Sequence, residues 1–384
     1  LPHAVGASAL ATAEMRYQLT QQLGVRWRPA HHGSWEIDGI PDPVLRAFSQ
    51  RRSDIDDAIA ELEDAIGRAS TIDELQRLVT ATRPAKRQAD VRDLLGEWWR
   101  RAHQLRFAPR RLAACLHRTR QPPARPSETW LFTRLSARDG ICANGSVFTR
   151  DDVLAALANV PVPATGGRPQ PLLVPAAELE LLGDAFLASH HVIELHPPAD
   201  HHRLRALRDE PLYTTAEILH TQQRIIDRYQ RHVGAAAALV RADLLEAVLT
   251  DHPHLTAEQR QLVRGFCTSG AQTQCAVGRA GAGKTTTMRA AVTAWQAVGY
   301  RVLGTAVKGE AARHLGATAG IPAETLAWYL ARRNSSRPPL DARTVLIVDE
   351  ASTVSDRDLD ALLDLAERTG AALRLIGDPA QHGA

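Results

Sequence analysis

The chain has 384 residues, more than one hydrophobic core usually holds, so about two to four domains are expected. Its 46 Lys and Arg against 43 Asp and Glu leave a net charge of +3, which excludes a strong whole-chain field for nucleic acid and leaves any basic groove to local arrangement. No apolar run approaches the roughly 20 residues of a membrane span, and Leu1-Pro2-His3 lacks the basic-then-apolar pattern of a secretion signal, so no membrane insertion and a cytoplasmic location are expected. Lysine occurs only at Lys86, Lys284 and Lys308, and the Arg and Ala bias points to a GC-rich bacterial genome. Cys115, Cys142, Cys267 and Cys275 form no CxxC pair and read as lone thiols rather than metal ligands or disulfides. The start without Met and the stop at Ala384 are what a piece of a longer chain would show.

In chain order, residues 8–24 read as a helix stopped by Gly24. Trp27, Trp35 and a turn around Gly33 and Gly39 follow. Asp42 caps a helix opened by Pro43, with Val44, Leu45, Phe48, Ile55, Ile59 and Leu62 at helical spacing. Residues 71–80 and 87–106 continue the helical pattern, and no strand-rich core is expected before residue 125. After the Pro-rich break at 121–126, Glu128–Leu135 and Ser146–Phe148 read as short extended segments. Thr149 caps a helix from Arg150 to Leu157. Helix 175–188, a strand at Val192–Leu195 and a long helical stretch at 214–249 come next. From Leu255 onward helices alternate with short apolar strands, which predicts a parallel α/β sheet. Its strands are expected at Thr273–Val277, Val302–Ala306, Val345–Val348 and Leu373–Ile376.

The chemistry collects at the carboxyl ends of those strands, where ligands of open α/β sheets bind. Gly278-Arg279-Ala280-Gly281-Ala282-Gly283-Lys284-Thr285, with Thr286 next, satisfies G-x-x-x-x-G-K-[ST] between a strand and a helix. Small residues let backbone N–H groups curl around phosphate, and the helix 284–297, stopped by Gly299, points its N-terminus at the same anion. Lys284 is expected on the β- and γ-phosphates and Thr285 on Mg²⁺. After the third strand, Asp349 is placed to bind Mg²⁺ and Glu350 to polarise the attacking water. After the fourth, Gly377-Asp378-Pro379-Ala380-Gln381 is either a plain turn or carries Gln381 to the γ-phosphate or the water. Gln259 completes a capping box with Thr256 or reads the adenine edge. The cofactors implied are ATP and Mg²⁺.

Leu255-Thr-Ala-Glu-Gln259, the loop at 278–285, Gly304-Thr-Ala-Val-Lys-Gly-Glu-Ala-Ala312, Thr325-Leu326, Asp349-Glu-Ala-Ser352 and Gly377-Asp-Pro-Ala-Gln381 resemble motifs Q, I, Ia, Ib, II and III of superfamily 1 helicases, nearest the RecD-like branch. The resemblance implies that Gln259 contacts the base, that Gln381 couples nucleotide state to DNA, and that Thr305, Lys308 and Thr325 touch single-stranded DNA. Lys308 equally suits a solvated surface charge. Trp35-Glu-Ile-Asp-Gly-Ile-Pro41 with Val44–Arg52, Phe148–Leu154 and Leu212–Ile218 resemble segments of MobF-type conjugative relaxase–helicases (the TrwC/TraI/TraA group). That family nicks plasmid DNA with a Tyr nucleophile and a His-held metal, then unwinds the duplex, beside the conjugation machinery. Neither a Tyr cluster nor a His-x-His strand is visible here, and the motor stops after motif III, so the piece is expected to bind ATP and hydrolyse it slowly.

The fold class expected is a RecA-like P-loop α/β sheet at the C-terminus, preceded by mainly helical and small α+β segments. Residues 1–60 read as the tail of a relaxase domain, 61–125 as a helical linker, 126–250 as a helicase N-terminal α+β region and 251–384 as the P-loop lobe. Histidines at 190–191, 196 and 201–202 fit a polar surface better than a metal site. Arginines at 100–101, 110–111 and 118–125 near Trp98-Trp99 allow nucleic-acid contact, but the interleaved acidic residues favour a helix whose Arg face is solvated and whose tryptophans are core. The function expected is the ATP-dependent DNA helicase segment of a conjugative relaxase, with single-stranded and duplex DNA and an upstream relaxase domain as partners. A RecD-like recombination or repair helicase and a non-catalytic DNA-binding scaffold with a vestigial ATP site are the alternatives. A P-loop kinase would leave Gln259 and the Gly377–Gln381 run without a role.

Overall fold

The structure is a computed structural model, and it describes residues 4–30, 34–49, 58–59, 90–119, 124–143, 145–164, 167–196, 211–278, 283–336 and 338–378. The expected helix at 71–80 lies outside them. Two compact units interleave along the chain: residues 1–135 with 149–188, and residues 136–148 with 189–384. Among the described residues no helix is long and apolar enough to cross a membrane.

In the first unit, α1 (Ala4–Leu23) buries Gly6, Ala9, Ala13, Arg16 and Thr20, a stripe at helical spacing. It packs on α6 (Arg150–Asn159) and α7 (Ala176–Leu187). Small residues permit the close approach, and the Gly6 amide donates to Asp151 at 3.1 Å. The buried Arg16 guanidinium donates to the Ala158 carbonyl at 2.8 Å and to Asn159 Oδ1 at 3.2 Å. Between them, β1 (Trp27–Pro29) and β2 (Trp35–Ile37) pair antiparallel, Trp27 opposite Ile37 and Pro29 opposite Trp35. Both tryptophans are buried, and this short ladder is the described strand structure before residue 125.

The remaining elements of this unit are short. They are α2 (Asp42–Phe48), α3 (Val91–Gln104), α4 (Pro109–Ala113), α5 (Glu128–Ser136) and the pair β3 (Pro161–Val162) with β4 (Gln170–Pro171). Segment 128–136 is a helix, which corrects the extended reading: Leu131 and Leu135, four apart, are its buried face. Helix α3 also departs from expectation, for none of its residues is buried; Trp98 and Trp99 are 46% and 55% exposed and are not core.

The second unit holds β5 (Val192–Leu195) antiparallel to β6 (Leu212–Thr215), α8 (Ala216–Arg231), α9 (Ala242–Thr250) and α10 (Ala257–Thr268). The stretch 214–249 is therefore a strand, two helices and a break, not one helix. At the break Ala236 and Ala238 take φ of 54° and 52°. Tertiary bonds hold them there: Trp295 Nε1 donates to the Ala238 carbonyl at 3.0 Å, and the Ala237 and Val240 amides donate to Gly270 and Cys267. Helix propensity of the alanines is a weak prior that such contacts override.

The C-terminal sheet is β7 (Thr273–Val277), β8 (Arg301–Ala306), β9 (Ala323–Thr325), β10 (Thr344–Val348) and β11 (Ala372–Gly377), all parallel, in the order β7-β11-β10-β8-β9. The helices between them are α11 (Lys284–Ala297), α12 (Gly309–Ala319), α13 (Leu326–Ala331) and α14 (Asp356–Thr369). Strand alternation sends Val345 and Ile347 to one face with Val263, Phe266, Met288 and Trp295, and Leu346 and Val348 to the other with Leu330, Leu362 and Leu365. This is the P-loop α/β fold expected at the C-terminus. Helix α8 is tied to α14 by Arg224–Asp360, Arg228 with Asp360, Asp364 and Glu367, and Arg231–Glu367.

Candidate functional site

The parallel strands aim their carboxyl ends at one edge of the sheet, and Gly278, Asp349 and Gly377 stand there. The register sets Val348 opposite Thr305 and Leu375, and Gly377 opposite Val277. Gly278, leaving β7, donates its amide to the Gly377 carbonyl at 3.1 Å. Gly283, preceding α11, has φ 69°, a left-handed turn that glycine adopts without Cβ strain. A Cβ at Gly283 would meet Gln259 Nε2 at 2.6 Å, so the end of that side chain lies against the glycine. Arg279, Ala280, Gly281, Ala282 and Gln381 lie outside the described residues, as do the side chains of Lys284, Thr285 and Thr286.

Gln259 carries both of its sequence readings into one geometry. Its Oε1 accepts from the Thr256 amide at 3.0 Å while its own amide bonds to Thr256 Oγ1. That is a capping box, and it turns the Nε2 end of the side chain toward Gly283.

The carboxylates stand at the end of β10. The Asp349 amide donates to the Thr305 carbonyl at 2.9 Å, and Asp349 Oδ1 accepts from the Glu350 amide at 2.9 Å. Glu350 is held at φ 49°, ψ 36°, a left-handed conformation that a non-glycine residue occupies only when its surroundings over-determine it. Both carboxylates are half-buried, and among the described residues neither has a cationic partner. Ser352, in the 3₁₀ turn Ala351–Thr353, has a buried Oγ with no hydrogen-bond partner among the described residues, as has Thr305 Oγ1. Two adjacent carboxylates without a cationic partner among the described residues, beside Gly278, Gly283 and Gly377, are a donor set that fits a nucleotide phosphate with a divalent cation. Ser352 escaped the sequence reading because a serine after Asp-Glu-Ala carries no signal of burial.

The residues expected on DNA divide. Thr305 is 0% exposed, inside β8 behind Asp349, so its side chain has no surface to offer a strand; the DNA assignment is corrected on that ground. Lys308 is exposed as the N-cap of α12, and Thr325 caps α13, accepting from the Trp328 amide at 3.3 Å. The two are brought together, since Ala306 pairs with Thr325 and the Thr325 methyl lies 3.7 Å from a Cβ built on Gly309. Beside them the Arg332 guanidinium sits 4.2 Å from the Trp328 ring centre, a stacked pair the sequence reading did not single out.

Among the other histidines, the His190 and His191 rings lie 4.0 Å apart and His191 Nδ1 is 3.2 Å from Ser136 Oγ. His201 and His202 lie outside the described residues.

Residues 254–384 match the family model of an AAA domain, and residues 1–105 match that of the TrwC relaxase. The chain is 40% identical over 176 residues to a probable conjugal transfer protein TraA of Sinorhizobium fredii, covering 46% of this chain and 16% of that protein. It is 42% identical over 139 residues to the conjugal transfer protein TraA of Agrobacterium fabrum, and 42% over 137 residues to that of Rhizobium radiobacter; each covers 36% of this chain and 12% of the relative. The aligned part thus spans well under a fifth of these relatives. The chain thus carries a match to the TrwC relaxase at its N-terminal end and to an AAA domain at its C-terminal end, the pairing that the resemblance to MobF-type relaxase–helicases implies.

Proposed function

We propose that residues 254–384 are the first motor lobe of a DNA helicase that binds ATP with Mg²⁺ and couples hydrolysis to movement on single-stranded DNA in plasmid transfer. The observation that carries this reading is that Gly278, the Asp349–Glu350 pair and the Gly377–Asp378 end lie beyond three adjacent parallel strands. Lys284, backbone amides of 278–283 and the N-terminus of α11 hold the phosphates. Thr285 and Asp349 hold Mg²⁺, which when bound offsets charge on the phosphate oxygens. Glu350 takes the proton of the attacking water, and Gln381 reports the γ-phosphate to the DNA side. Gln259 presents its amide to the adenine edge. Lys308 and Thr325 contact DNA phosphate from neighbouring strand ends. The wider setting in this reading is the bacterial cytoplasm, with an upstream relaxase domain, duplex DNA and the conjugation machinery as partners.

The test is ATP turnover with and without single-stranded DNA, for this chain and for one extended at its C-terminus, each beside Lys284→Ala. Turnover stimulated by DNA and lost in the variant supports the motor. Nucleotide binding without any DNA-stimulated turnover in the extended chain favours the scaffold instead.

A further inference from the structure

The left-handed backbone of Glu350 persists only while its surroundings over-determine it, which requires both ends of its turn to be fixed. The near end is fixed to the sheet, through the Asp349 amide on the Thr305 carbonyl at 2.9 Å. Within the turn the Glu350 carbonyl accepts from the Thr353 amide and from its hydroxyl, each at 2.8 Å. The far end runs through Ser355, the N-cap of α14, into Asp356 and Arg357. Apolar packing grips α14 further on, for its buried residues are Leu362, Leu363, Leu365 and Ala366. Its first turn is held by polar side chains instead.

Those contacts come from two elements distant in sequence. Asp356 Oδ2 accepts from Ser146 Oγ at 2.8 Å and from Gln222 Nε2 at 2.9 Å. Arg357, with its side chain only 10% exposed, donates to the Cys142 carbonyl at 2.6 Å and to Glu217 Oε2 at 2.7 Å. Segment 142–148 is itself anchored: Phe148 and Tyr213 exchange both backbone bonds at 2.9 Å, and Thr214 Oγ1 donates to the Ser146 carbonyl at 2.7 Å. Glu217 and Gln222 belong to α8. The planar fork of Arg357 thus ties the start of α14 to both elements at once, which a lysine cannot do. The ion pair Arg224–Asp360 lies further along and its arginine is 50% exposed; exposed pairs are worth little. Cys142, Ser146, Glu217 and Gln222 all lie between the relaxase-matched and AAA-matched stretches.

We propose that Asp356 and Arg357 are positioning residues for Glu350, through which segment 142–148 and α8 hold the Glu350 turn in place. The inference rests on the reading of Glu350 as the group that takes the proton of the attacking water. Misplacing such a group by about 1 Å can cost on the order of 10²-fold in rate. Phosphate and Mg²⁺ are held by other residues in that reading, so the effect belongs to kcat and not to KM.

The experiment reads hydrogen exchange by peptide mass spectrometry in this chain, and ATP turnover with single-stranded DNA in the chain extended at its C-terminus. The variants are Arg357→Ala, Arg357→Lys and the double variant Ser146→Ala with Gln222→Ala, which removes both donors to Asp356 and leaves Arg357 paired. In Arg357→Ala and the double variant the peptide covering 350–355 should exchange faster by roughly tenfold or more, with the β10 peptide unchanged. Their kcat should fall roughly tenfold to a hundredfold, with KM for ATP within about twofold of wild type. Arg357→Lys should recover part of both losses. Should Arg357→Ala fail to fold, the double variant carries the same readouts. Unchanged exchange at 350–355 overturns the proposal, as does faster exchange with an unchanged kcat. Faster exchange in β10 as well overturns it too, because the contacts would then serve only the fold. An extended wild-type chain without turnover defeats the motor reading alone: faster exchange at 350–355 in the variants still supports the tie to this turn, and unchanged exchange sinks it.

Discussion

The amide of Gly278 donates to the carbonyl of Gly377 at 3.1 Å, so the turn that opens the phosphate loop is bonded to the end of the neighbouring strand. Gly377 also touches the carboxylate loop, because a Cβ there would lie 3.0 Å from the Ser352 amide nitrogen and 3.4 Å from its Cβ. One glycine thus joins the three loops of the site. Gly377→Ala would push the 351–353 turn away from β11. Overpacking of this kind costs about 1–3 kcal/mol, and taken from the binding arrangement it should weaken a fluorescent nucleotide analogue by roughly fivefold to a hundredfold. Titration of wild type and variant checks this; equal affinities would mean that the loops are not coupled through Gly377.

Glu350 combines strain and chemistry in one residue. Its left-handed backbone costs a non-glycine residue about 1–2 kcal/mol. Glu350→Gly should therefore raise stability, by about 1 kcal/mol after glycine's own entropy cost, while removing the proposed base. Glu350→Gln should leave stability near wild type. Both should lower DNA-stimulated turnover in an extended chain by about 10²-fold or more. Thermal unfolding beside turnover separates the two effects, and a glycine variant no more stable than the glutamine one would show that the backbone there is unstrained.

Much of this site was legible because its residues sit at strand ends marked by glycine. Four strands were placed within a residue or two by apolar runs such as Thr344–Val348, buried throughout. Strand β9 escaped since Ala323-Glu324-Thr325 is only three residues long and none is buried. The break at 232–241 was unreadable because Ala236 and Ala238 owe their conformation to Gly270, Cys267 and Trp295, distant in sequence. Thr305 was assigned to DNA because a motif gives position in the chain and not depth in the sheet. The acidic residues interleaved with the arginines of α3 favour core tryptophans in the sequence, yet Trp98 and Trp99 are 46% and 55% exposed, because charge pattern does not tell which face of a helix is covered.

Stability at alkaline pH should report on Cys267. Burial pushes its thiol from 9.0 up to about 12, with Arg374 opposing. The unfolded chain therefore loses this proton first, and the stability contributed is whole below pH 9 and falls as pH rises toward 12. Tyr329 adds the same sign between 10.0 and about 12. Arg374 opposes it, since burial lowers it from 12.5 to about 10, and above pH 10 the unfolded state holds the extra proton. Between pH 9 and 10 Cys267 acts with Cys142 and Cys275, whose thiols burial also raises from 9.0, and its own share of the fall should be up to about 1.4 kcal/mol per unit. Denaturant unfolding across this window should give a flatter slope for Cys267→Ala; parallel slopes would assign the loss elsewhere.

Arg374 is the least expected core residue, a guanidinium with 0% exposure and no acidic partner among the described residues. It sits 5.8 Å from the Phe266 ring centre and 5.6 Å from that of Trp295. It donates to the carbonyls of Phe266, Ala271, Gln272 and Leu373 at 2.9–3.2 Å. These acceptors belong to α10, the entry to β7 and β11 itself, so the fork fastens the phosphate-loop strand to its neighbour from behind. Charge-assisted bonds of this kind are worth about 1.5–3 kcal/mol each, and their removal leaves buried carbonyls unpaired. Arg374→Ala should therefore cost at least about 3 kcal/mol. Arg374→Lys should recover only part, because a point charge cannot reproduce the planar fork, and Arg374→Met should fill the aromatic slot yet still leave the carbonyls bare. Urea unfolding of the three variants gives the order, and a cost below about 1 kcal/mol for Arg374→Ala would mean that water replaces the guanidinium without loss.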